Sequence, residues 1–294
     1  MKVLLTADLH LRPTSPINRK DDYVEAQFRK LRFMLNKKLP IFVAGDFFDK
    51  ATVPFWFFNR VCSLLRASYY SDSLIAIIPG NHDLIGHNIN NIDQGSLWGL
   101  DLVDRVDVLM EPDSILLGTT VFHCCPFGET PTQPNPRLKN VLLIHEPVFD
   151  KEVPFYMEGK ASTVEQIKEK YPGYDLIVSG DIHQSVNRDG VLVPGSMMRS
   201  TIAQKQHRPC FYELDTETME ITTHEFPIEE DVWKDFTEAV EDESYRAELK
   251  GLKEAMEGRD DRLDYPKVCH RLAEDNPKAG QRIQSLIDQY EEQK

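Results

Sequence analysis

The chain has 294 residues, 41% of them apolar, which is enough for one large domain, or a domain and an extension, around a sizeable core. Its formal net charge of −14 argues against a protein that binds nucleic acid through a generally basic surface. DNA binding in a local groove or through metal ions is compatible with this charge. Five cysteines without a Cys-x-x-Cys pair favour free thiols in a reducing compartment. The absence of a signal h-region and of an 18-residue apolar run predicts a cytoplasmic protein without a membrane span.

Two short apolar segments near the start predict buried strands, each followed by polar side chains. Residues 2–7 lead into Asp8-Leu9-His10, whose alternate side chains are able to grip one metal ion. Residues 41–44 lead into Gly45, which lets the backbone turn sharply, and Asp46, a carboxylate able to bridge two cations. Helical character over residues 21–38 completes a βαβ unit, so the two strands should be parallel.

The next segments add a helix and a third strand with polar side chains at its end. Residues 53–67 are unusually aromatic and predict a helix that either covers the sheet or meets a second subunit. A strand over residues 74–78 ends in Asn81, a neutral oxygen ligand, and His82, a proton donor near neutral pH. A further helix is expected over residues 92–103.

Two later strands also end in potential ligands. One over residues 141–144 precedes His145, and one over residues 176–178 precedes Asp181 and His183. The other expected segments are strands at 107–110, 114–117, 119–123 and 191–193, a loop at 126–137, and a hairpin at 210–214 and 219–223.

The composition changes after Pro227. Residues 229–294 contain 19 acidic and 11 basic residues, and helices are expected near 231–257 and 279–292. We therefore divide the chain into a domain at residues 1–227 and an acidic helical cap or partner-docking extension at residues 228–294. A solvated helical extension without a partner is the alternative.

Five predicted strands thus end in a potential metal ligand or proton carrier. Each of these residues alone fits an ordinary polar turn after a strand. Together they predict a ring of carboxylate, amide and imidazole groups at one edge of a sheet, where open α/β sheets bind ligands. Mixed oxygen and nitrogen ligands without cysteine suit manganese, iron or zinc.

The motifs that carry these residues resemble those of the calcineurin-like metallophosphoesterases. They are Asp-x-His, Gly-Asp-x-x-Asp, Gly-Asn-His-Asp, a single histidine after a strand, and Gly-x-x-His, and they span residues 8–183 in this order. The resemblance implies an α/β fold, a layered α/β/β/α sandwich, that hydrolyses phosphoesters with two divalent metal ions. Manganese is the expected metal and magnesium the alternative.

The resemblance also implies a role for each matching residue. His82 would be the catalytic residue beside the scissile phosphate, where it would supply a proton or positive charge to the leaving alkoxide. The implied metal ligands are Asp8, His10 and His183 for the first metal, Asp46 as the bridge between both metals, and Asn81, His145 and Asp181 for the second metal.

One ligand position departs from the family pattern, which usually reads Gly-His-x-His. Asp181 replaces the first of these histidines, and because a carboxylate still binds divalent cations we keep it as a ligand. Asp49 stands where family members carry Asp or His, and its role is open. The histidines that match no ligand motif are expected to be structural or solvated, with His207 notable for lying in a basic segment: His87, His123, His207, His224 and His270.

Within the superfamily the chain most resembles the SbcD-type DNA repair exonucleases, in a short form similar to phage-encoded versions. The resemblance rests on Asp-Leu-His near the start, Gly-Asp-Phe-Phe-Asp, Gly-Asn-His-Asp, and Pro-Gly-Ser after the last ligand. It implies a DNA exonuclease or endonuclease in repair or recombination, an SbcC-like ATPase as partner, and a homodimer formed near residues 54–67 and 92–103. The expected contacts to the DNA backbone are Arg12, Arg199, Lys205 and Arg208, the last three from a segment without acidic residues.

Two other functions remain open from the sequence. A phosphatase or phosphodiesterase acting on a small-molecule or protein phosphate would use the same chemistry, and the acidic charge favours it. A non-catalytic scaffold would require a decayed site, whereas the one departure, at Asp181, is to another ligand.

Overall fold

The computed structural model describes residues 1–67, 74–103, 106–228 and 231–233, and the fold is given for these residues. The helices are α1 (Tyr23–Leu35), α2 (Phe55–Ala67) and α3 (Val164–Lys170). The strands of the first sheet are β1 (Lys2–Thr6), β2 (Ile41–Ala44), β3 (Ile75–Ile78), β4 (Val106–Val108), β13 (Cys210–Asp215) and β14 (Ile221–Glu225). The strands of the second sheet are β5 (Asp113–Leu117), β6 (Thr120–Cys124), β7 (Lys139–His145), β10 (Leu176–Gly180), β11 (Val186–Arg188) and β12 (Val191–Val193), and β8 (Val148–Phe149) pairs separately with β9 (Ser162–Thr163).

Each large sheet has parallel central strands, with antiparallel strands at one edge of the first sheet and at both edges of the second. In the first sheet, β1, β2, β3 and β4 run parallel, while β13 and β14 add antiparallel pairs beside β1. In the second sheet, β6, β7, β10 and β12 run parallel, with β5 and β11 antiparallel at the edges. Parallel strands end at the same sheet edge, so the loops that follow them are brought together there.

The two sheets pack face to face and the helices cover their outer faces. Phe42 of β2 and Phe122 of β6 stack between the sheets, with ring centroids 4.2 Å apart. On the other face of the first sheet, Leu4 packs in one apolar core with Phe28 of α1 and Phe57 of α2. The outer face of the second sheet packs against α3. The predicted α/β/β/α sandwich is therefore confirmed.

The predicted helix at residues 92–103 is wrong. This stretch contains two short 3-10 helices, Ile89–Gln94 and Trp98–Leu102, separated by Gly95. Gly95 has an extended backbone (φ −97°, ψ 162°), so the helical hydrogen-bond pattern ends there. Glycine is a poor helix interior residue because it loses the most backbone entropy.

The short helix α3 was not predicted, although its start has a recognisable pattern. Thr163 and Gln166 form a capping box, in which each side chain binds the backbone N–H of the other residue. Most of the predicted cap at residues 228–294 lies outside the described residues, and the boundary at Pro227 stays a prediction. Among the described helices, none combines the length and apolar character needed to cross a bilayer.

Residues 231–233 join the sandwich through a buried group of charges. Both carboxylate oxygens of Asp231 accept hydrogen bonds, from Arg19 Nη2 at 2.7 Å and from Arg199 Nε at 2.7 Å. Lys30 Nζ lies 3.5 Å from the same carboxylate. The side chains of Asp231, Arg19 and Lys30 are each at most 3% exposed, so these charges are shielded from water.

Asp231→Ala should destabilise the fold strongly, because it leaves the buried cations of Arg19, Lys30 and Arg199 without their shared carboxylate. Breaking a buried ion pair by removing one partner costs about 3–5 kcal/mol of the free energy of unfolding. Urea denaturation measures this loss, with Asp93→Ala as the matched control because Asp93 is exposed. A loss below about 1 kcal/mol would instead indicate a hydrated, surface-like pair.

Candidate metal centre

The loops after β1 and β2 run side by side and bring three polar side chains to one place. Asp8 N donates to Gly45 O at 3.1 Å, and His10 N donates to Asp46 O at 3.0 Å. These backbone hydrogen bonds hold Asp8, His10 and Asp46 in adjacent turns. All three side chains are buried.

The first group of potential metal donors centres on His10. His10 Nε2 lies 2.9 Å from His183 Nε2, 3.5 Å from Asp46 Oδ2 and 3.8 Å from Asp8 Oδ1. Donor atoms around a single small cation are about 3–4 Å from one another when the metal–ligand bonds are near 2.1 Å. The spacing therefore fits one divalent metal among His10, His183, Asp8 and Asp46, which we call the first donor set.

The second group centres on His145, at the end of β7. His145 Nε2 lies 2.9 Å from Asn81 Oδ1, 3.4 Å from Asp46 Oδ2 and 3.9 Å from Asp181 Oδ1. These residues form the second donor set. Asp46 Oδ2 belongs to both sets, so the structure places every sequence-predicted ligand within one of two adjoining groups that share a single carboxylate oxygen.

His82 lies at the exposed mouth of the first donor set. Its ring meets that of His10 edge to face, with centroids 4.9 Å apart, and a ring nitrogen is close enough to His10 and Asp46 for a shared metal. His82 Nδ1 lies 2.8 Å from Asp49 O, so the ring donates there and its other nitrogen stays available. His82 N also donates to Asp46 Oδ1 at 2.9 Å.

Arg12 and Asp49 form the outer rim of the first donor set. Arg12 Nη1 lies 3.6 Å from Asp49 Oδ2, and Asp49 Oδ1 lies 3.9 Å from His10 Nδ1. His10 Nδ1 is buried and has no hydrogen-bond partner among the described residues. Asp49 is thus the nearest carboxylate to this unsatisfied ring nitrogen.

The buried charges of the centre create a strong demand for cations. Burial raises the pKa of Asp8 well above its usual value, because the carboxylate is removed from water. The ion-pair partners that the structure gives Asp8 and Asp46 are histidines. Burial opposes a charge on His145, but Asp46, Asp8 and Asp181 outweigh it and raise the pKa of His145 to about 10.

Two histidines are instead held neutral. Burial lowers the pKa of His10 to about 3 and that of His183 to about 4. Neutral imidazoles are the form that binds metals. The raised pKa of His145 means that a proton there balances the nearby carboxylates, as a metal ion would. Together the two sets offer three carboxylates, three imidazoles and one amide, which suit divalent metals such as manganese. The residues present therefore fit two divalent cations.

Glycines make room for the hydrogen bond that orients His145. His145 Nδ1 donates to Ala44 O at 3.0 Å, which leaves Nε2 directed into the second donor set. A side chain at Gly45 (φ +85°) would collide with the His145 ring, and one at Gly180 would collide with Ala44 O. Both positions therefore require glycine for this contact.

The backbone of the centre is strained at four of the candidate ligands. Asp8 (φ 50°), His10 (φ 43°), Asp46 (φ 51°) and Asp181 (φ 90°) all have positive φ, which non-glycine residues rarely adopt. Such residues persist only where the surrounding structure enforces them, and they cluster at functional sites. The sequence carried no signal for this strain.

Asp83 is a further residue of the centre that sequence reasoning did not identify. Its fully buried carboxylate accepts hydrogen bonds from the backbone N–H groups of Phe47 (3.1 Å), Phe48 (2.9 Å) and Gly80 (3.0 Å). Burial, with the nearby charge of Asp46, raises the pKa of Asp83 to about 7. Asp83 thus joins the loop that carries Asp46 to the loop that carries Asn81. Its place in the Gly-Asn-His-Asp motif was the available signal.

The residues expected to contact DNA lie in different environments. Lys205 and Arg208 are exposed, and the Arg12 side chain is 25% exposed at the rim. Arg199 is buried, with Nε bound to Asp231 and Nη1 donating to Lys205 O at 2.9 Å. Its guanidinium is therefore occupied within the protein, and we correct its assignment from a DNA contact to a group that holds its own segment in place.

Two of the histidines outside the motifs are buried and hydrogen-bonded. His123 Nδ1 lies 2.7 Å from Thr132 Oγ1, and its Nε2 lies 3.0 Å from Asn140 Oδ1. His207 Nε2 lies 2.8 Å from Ser196 O. These contacts are those of structural residues.

A cavity of about 570 Å³ opens beside the second donor set. Its walls include His145, Phe127, whose ring lies edge-on to His145 at 6.2 Å, and the side chains of Lys160, Lys170 and Tyr171. Phe127 N donates to Pro79 O at 3.0 Å, so this wall is attached to the loop that carries Asn81.

A carboxylate shared between two sets of metal donors, at the edge of a two-sheet sandwich, is the arrangement of a two-metal phosphoesterase. The sequence model of the family described as calcineurin-like phosphoesterase matches residues 1–185, and the chain belongs to this family. Members of the family hydrolyse phosphoesters with two divalent metals. The chain is therefore a metal-dependent phosphoesterase.

More distant likenesses extend to solved structures. A structure described as a novel archaeal phosphodiesterase is 17% identical, with a TM-score of 0.41, over 77% of this chain and 100% of that one. A cold-active protein-tyrosine phosphatase of a psychrophilic Shewanella species is 10% identical, with a TM-score of 0.33, over 77% of this chain and 80% of that one. Both are too remote to bear on the substrate. Comparison with curated protein sequences gives no match.

Asp83→Ala should unfold or loosen the centre although Asp83 is not a ligand candidate, because three backbone N–H groups lose their acceptor. Leaving buried donors unsatisfied costs about 1–3 kcal/mol each, so a loss of at least about 3 kcal/mol in the free energy of unfolding is expected. Chemical denaturation of the metal-free protein measures it. A stability equal to that of wild type would show that water replaces the carboxylate.

Proposed function

We propose that the protein is a manganese-dependent phosphodiesterase that cleaves DNA as an exonuclease or endonuclease. The observation that carries the proposal is Asp46 Oδ2, which lies 3.5 Å from His10 Nε2 and 3.4 Å from His145 Nε2 and so belongs to both donor sets. Two cations held there would neutralise the charge of a phosphodiester and activate a water for in-line attack.

The chain's own residues then orient and protonate the substrate. His82 is exposed at the mouth of the centre, and its Nδ1 is engaged by Asp49 O. This hydrogen bond fixes the ring. In its imidazolium form His82 also carries a proton on the second ring nitrogen, which it would give to the leaving alkoxide, returning to the neutral ring that still donates to Asp49 O. Arg12, held beside Asp49, is placed to contact a neighbouring phosphate.

A local cationic surface supports DNA as the substrate despite the acidic net charge. Lys205 and Arg208 are exposed and lie in the segment whose Gln204 contacts His183. The Arg12 guanidinium lies 3.6 Å from the Asp49 carboxylate, which in turn lies 3.9 Å from His10. Contacts of this type reach phosphates rather than base edges, so little sequence preference is expected. The resemblance to SbcD-type nucleases points the same way, with a role in repair or recombination.

A phosphatase or phosphodiesterase acting on a small or protein phosphate is the second candidate. The observation that favours it is the cavity of about 570 Å³ beside His145, which is large enough for a nucleotide-sized group. Lys160 and Lys170 at its wall would attract an anion, although Lys170 is already paired with Glu146 at 2.6 Å. This candidate uses the same metal centre.

We also propose a homodimer and, from the resemblance alone, an SbcC-like ATPase partner. Four large apolar side chains are exposed on α2 and on the 3-10 helix Trp98–Leu102. The two helices are in contact, since Phe58 of α2 lies against Gly99. These side chains are Phe55, Trp56, Trp98 and Leu102. A second copy is the proposed occupant of this apolar surface. The buried or half-buried free thiols fit the proposed cytoplasmic location.

One assay separates the candidate functions. Purified protein in manganese is incubated with end-labelled linear DNA, with bis-para-nitrophenyl phosphate as a diester, and with para-nitrophenyl phosphate as a monoester. We expect cleavage of DNA and of the diester, with the monoester much slower. Turnover of the monoester alone would overturn the nuclease proposal and favour the phosphatase.

Two variants serve as controls in this assay. Asp46→Asn should lose at least about nine-tenths of the activity, since an amide is a poorer bridge between two cations. His82→Ala should retain two metal equivalents while losing DNA cleavage. Retention of more than about a tenth of the activity in Asp46→Asn would contradict its bridging role, and loss of one metal equivalent in His82→Ala would show that His82 is a metal ligand.

Asp181 should retain the second metal, although this family usually has a histidine there. With Asp181 the two donor sets contain three carboxylates rather than two. The net positive charge of the centre with two divalent cations is therefore lower, and it attracts an anionic substrate less strongly. An oxygen in place of a nitrogen also favours manganese or magnesium over zinc. We therefore expect manganese to support far higher activity than zinc, Asp181→His to remain active, and Asp181→Ala to be inactive.

Metal content measured on these variants decides the role of Asp181. Two manganese equivalents in wild type and one in Asp181→Ala are expected. A single equivalent in wild type, together with full activity of Asp181→Ala, would show that Asp181 is an ordinary loop residue.

A further inference from the structure

Gln204 contacts the first donor set from behind. It is 6% exposed, and its Nε2 lies 2.7 Å from His183 Nδ1 and 3.2 Å from Ser196 Oγ. Its Oε1 accepts from Ser200 N at 2.7 Å, Ser200 Oγ at 3.0 Å and Thr201 N at 3.0 Å. The carboxamide is thus held at both ends.

The orientation of this carboxamide follows from its partners. The two backbone N–H groups of Ser200 and Thr201 can only donate, so they require the oxygen of Gln204 on their side. The NH₂ group is therefore the end that faces His183. As a consequence, His183 Nδ1 accepts a hydrogen bond, and the proton of the neutral ring lies on Nε2.

The tautomer of the neighbouring His10 follows from this assignment. With the proton on His183 Nε2, this atom donates to His10 Nε2 at 2.9 Å. The proton of His10 then lies on Nδ1, the buried ring nitrogen for which the described part of the chain offers no hydrogen-bond partner. A chain of hydrogen bonds from Gln204 to His183 to His10 thus places a proton where the first metal would bind.

His145 provides the contrasting arrangement in the same molecule. Its Nδ1 donates to a carbonyl oxygen, Ala44 O, at 3.0 Å. A metal-binding histidine ordinarily donates its second ring N–H to an oxygen in this way, which leaves the other nitrogen unprotonated for the metal. At His183 the second ring nitrogen, Nδ1, instead accepts a hydrogen bond from Gln204 Nε2.

We propose that Gln204 is a positioning residue that fixes the ring and tautomer of His183. As a result the first donor set binds its metal more weakly than it would with a glutamate at position 204. This inference rests on the proposed metal centre. A glutamate at position 204 would still accept from Ser200 N and Thr201 N, since Thr201 and residue 204 form a capping box that admits either residue. Its second oxygen would accept from His183 Nδ1. The Ser196 hydroxyl, which donates to Met198 O at 2.8 Å, would exchange that bond for one to the new carboxylate.

The test compares Gln204→Glu with Gln206→Glu and wild type. Gln206 lies in the same short helix but is exposed, so its variant adds the same charge without touching His183. Manganese alone is titrated calorimetrically into each metal-free protein. Changes to groups that support metal ligands alter metal affinity by about 10–100-fold. Gln204→Glu should therefore bind manganese at the first donor set at least about tenfold more tightly than wild type. The affinity of Gln206→Glu should differ from that of wild type by less than about threefold.

Nitrogen-15 spectra of the metal-free histidines supply a second readout that a purely structural role would not change. We expect the proton of His183 on Nε2 in wild type and in Gln206→Glu, and on Nδ1 in Gln204→Glu. An Nδ1 proton in wild type, an unchanged or weaker affinity of Gln204→Glu, or equal tightening in both variants would each overturn the inference. Absence of manganese binding in wild type would instead refute the proposed metal centre, while the spectra would still test Gln204.

Discussion

The burial of the Asp46 carboxylate is the constraint on which the centre depends. One oxygen accepts from His82 N, and the other lies within 3.5 Å of ring nitrogens from both donor sets. A carboxylate taken out of water is costly unless charges or hydrogen bonds compensate it. Burial holds the His10 ring neutral, so among the two histidines His145 alone compensates the carboxylate with charge, through its raised pKa. Cations bound beside His10 and His145 would supply the remaining compensation.

The same constraint explains why the chain tolerates strained backbone at the ends of its strands. Positive φ at a residue such as Asp8 or Asp46 costs about 1–3 kcal/mol each. Hydrogen bonds between adjacent loops, such as His10 N to Asp46 O at 3.0 Å, offset part of that cost. Asp83 offsets more of it by binding three backbone N–H groups of the same loops.

The strands and the ligand candidates could be predicted because both leave local patterns. Apolar runs mark β2 and β7, and motifs with fixed spacing mark Asp46, Asn81 and His145. Contacts between distant segments leave no such pattern. The charge of Arg199 was visible, but its pairing with Asp231, 32 residues later, was not. Gln204 sits in a recognisable Thr-x-x-Gln cap, yet only the fold brings it against His183.

The helices show the same division between local and distant information. The aromatic run in α2 predicted a helix correctly, because its apolar spacing is itself the signal. Residues 92–103 also contain regularly spaced apolar residues but do not form one continuous helix, since Gly95 interrupts them. Glycine position therefore outweighed periodicity at this place.

The centre also bonds the two sheets to each other. Asp181 N, at the end of the second sheet, donates to Asp8 Oδ1 at 3.0 Å in the first, and His145 Nδ1 donates to Ala44 O across the same gap. Each donor set takes residues from both sheets: His183 joins Asp8, His10 and Asp46, while His145 and Asp181 join Asn81 and Asp46. A cation that binds only the folded chain stabilises it. Because each donor set draws ligand candidates from both sheets, a bound cation would stabilise the packing of the two sheets at this edge.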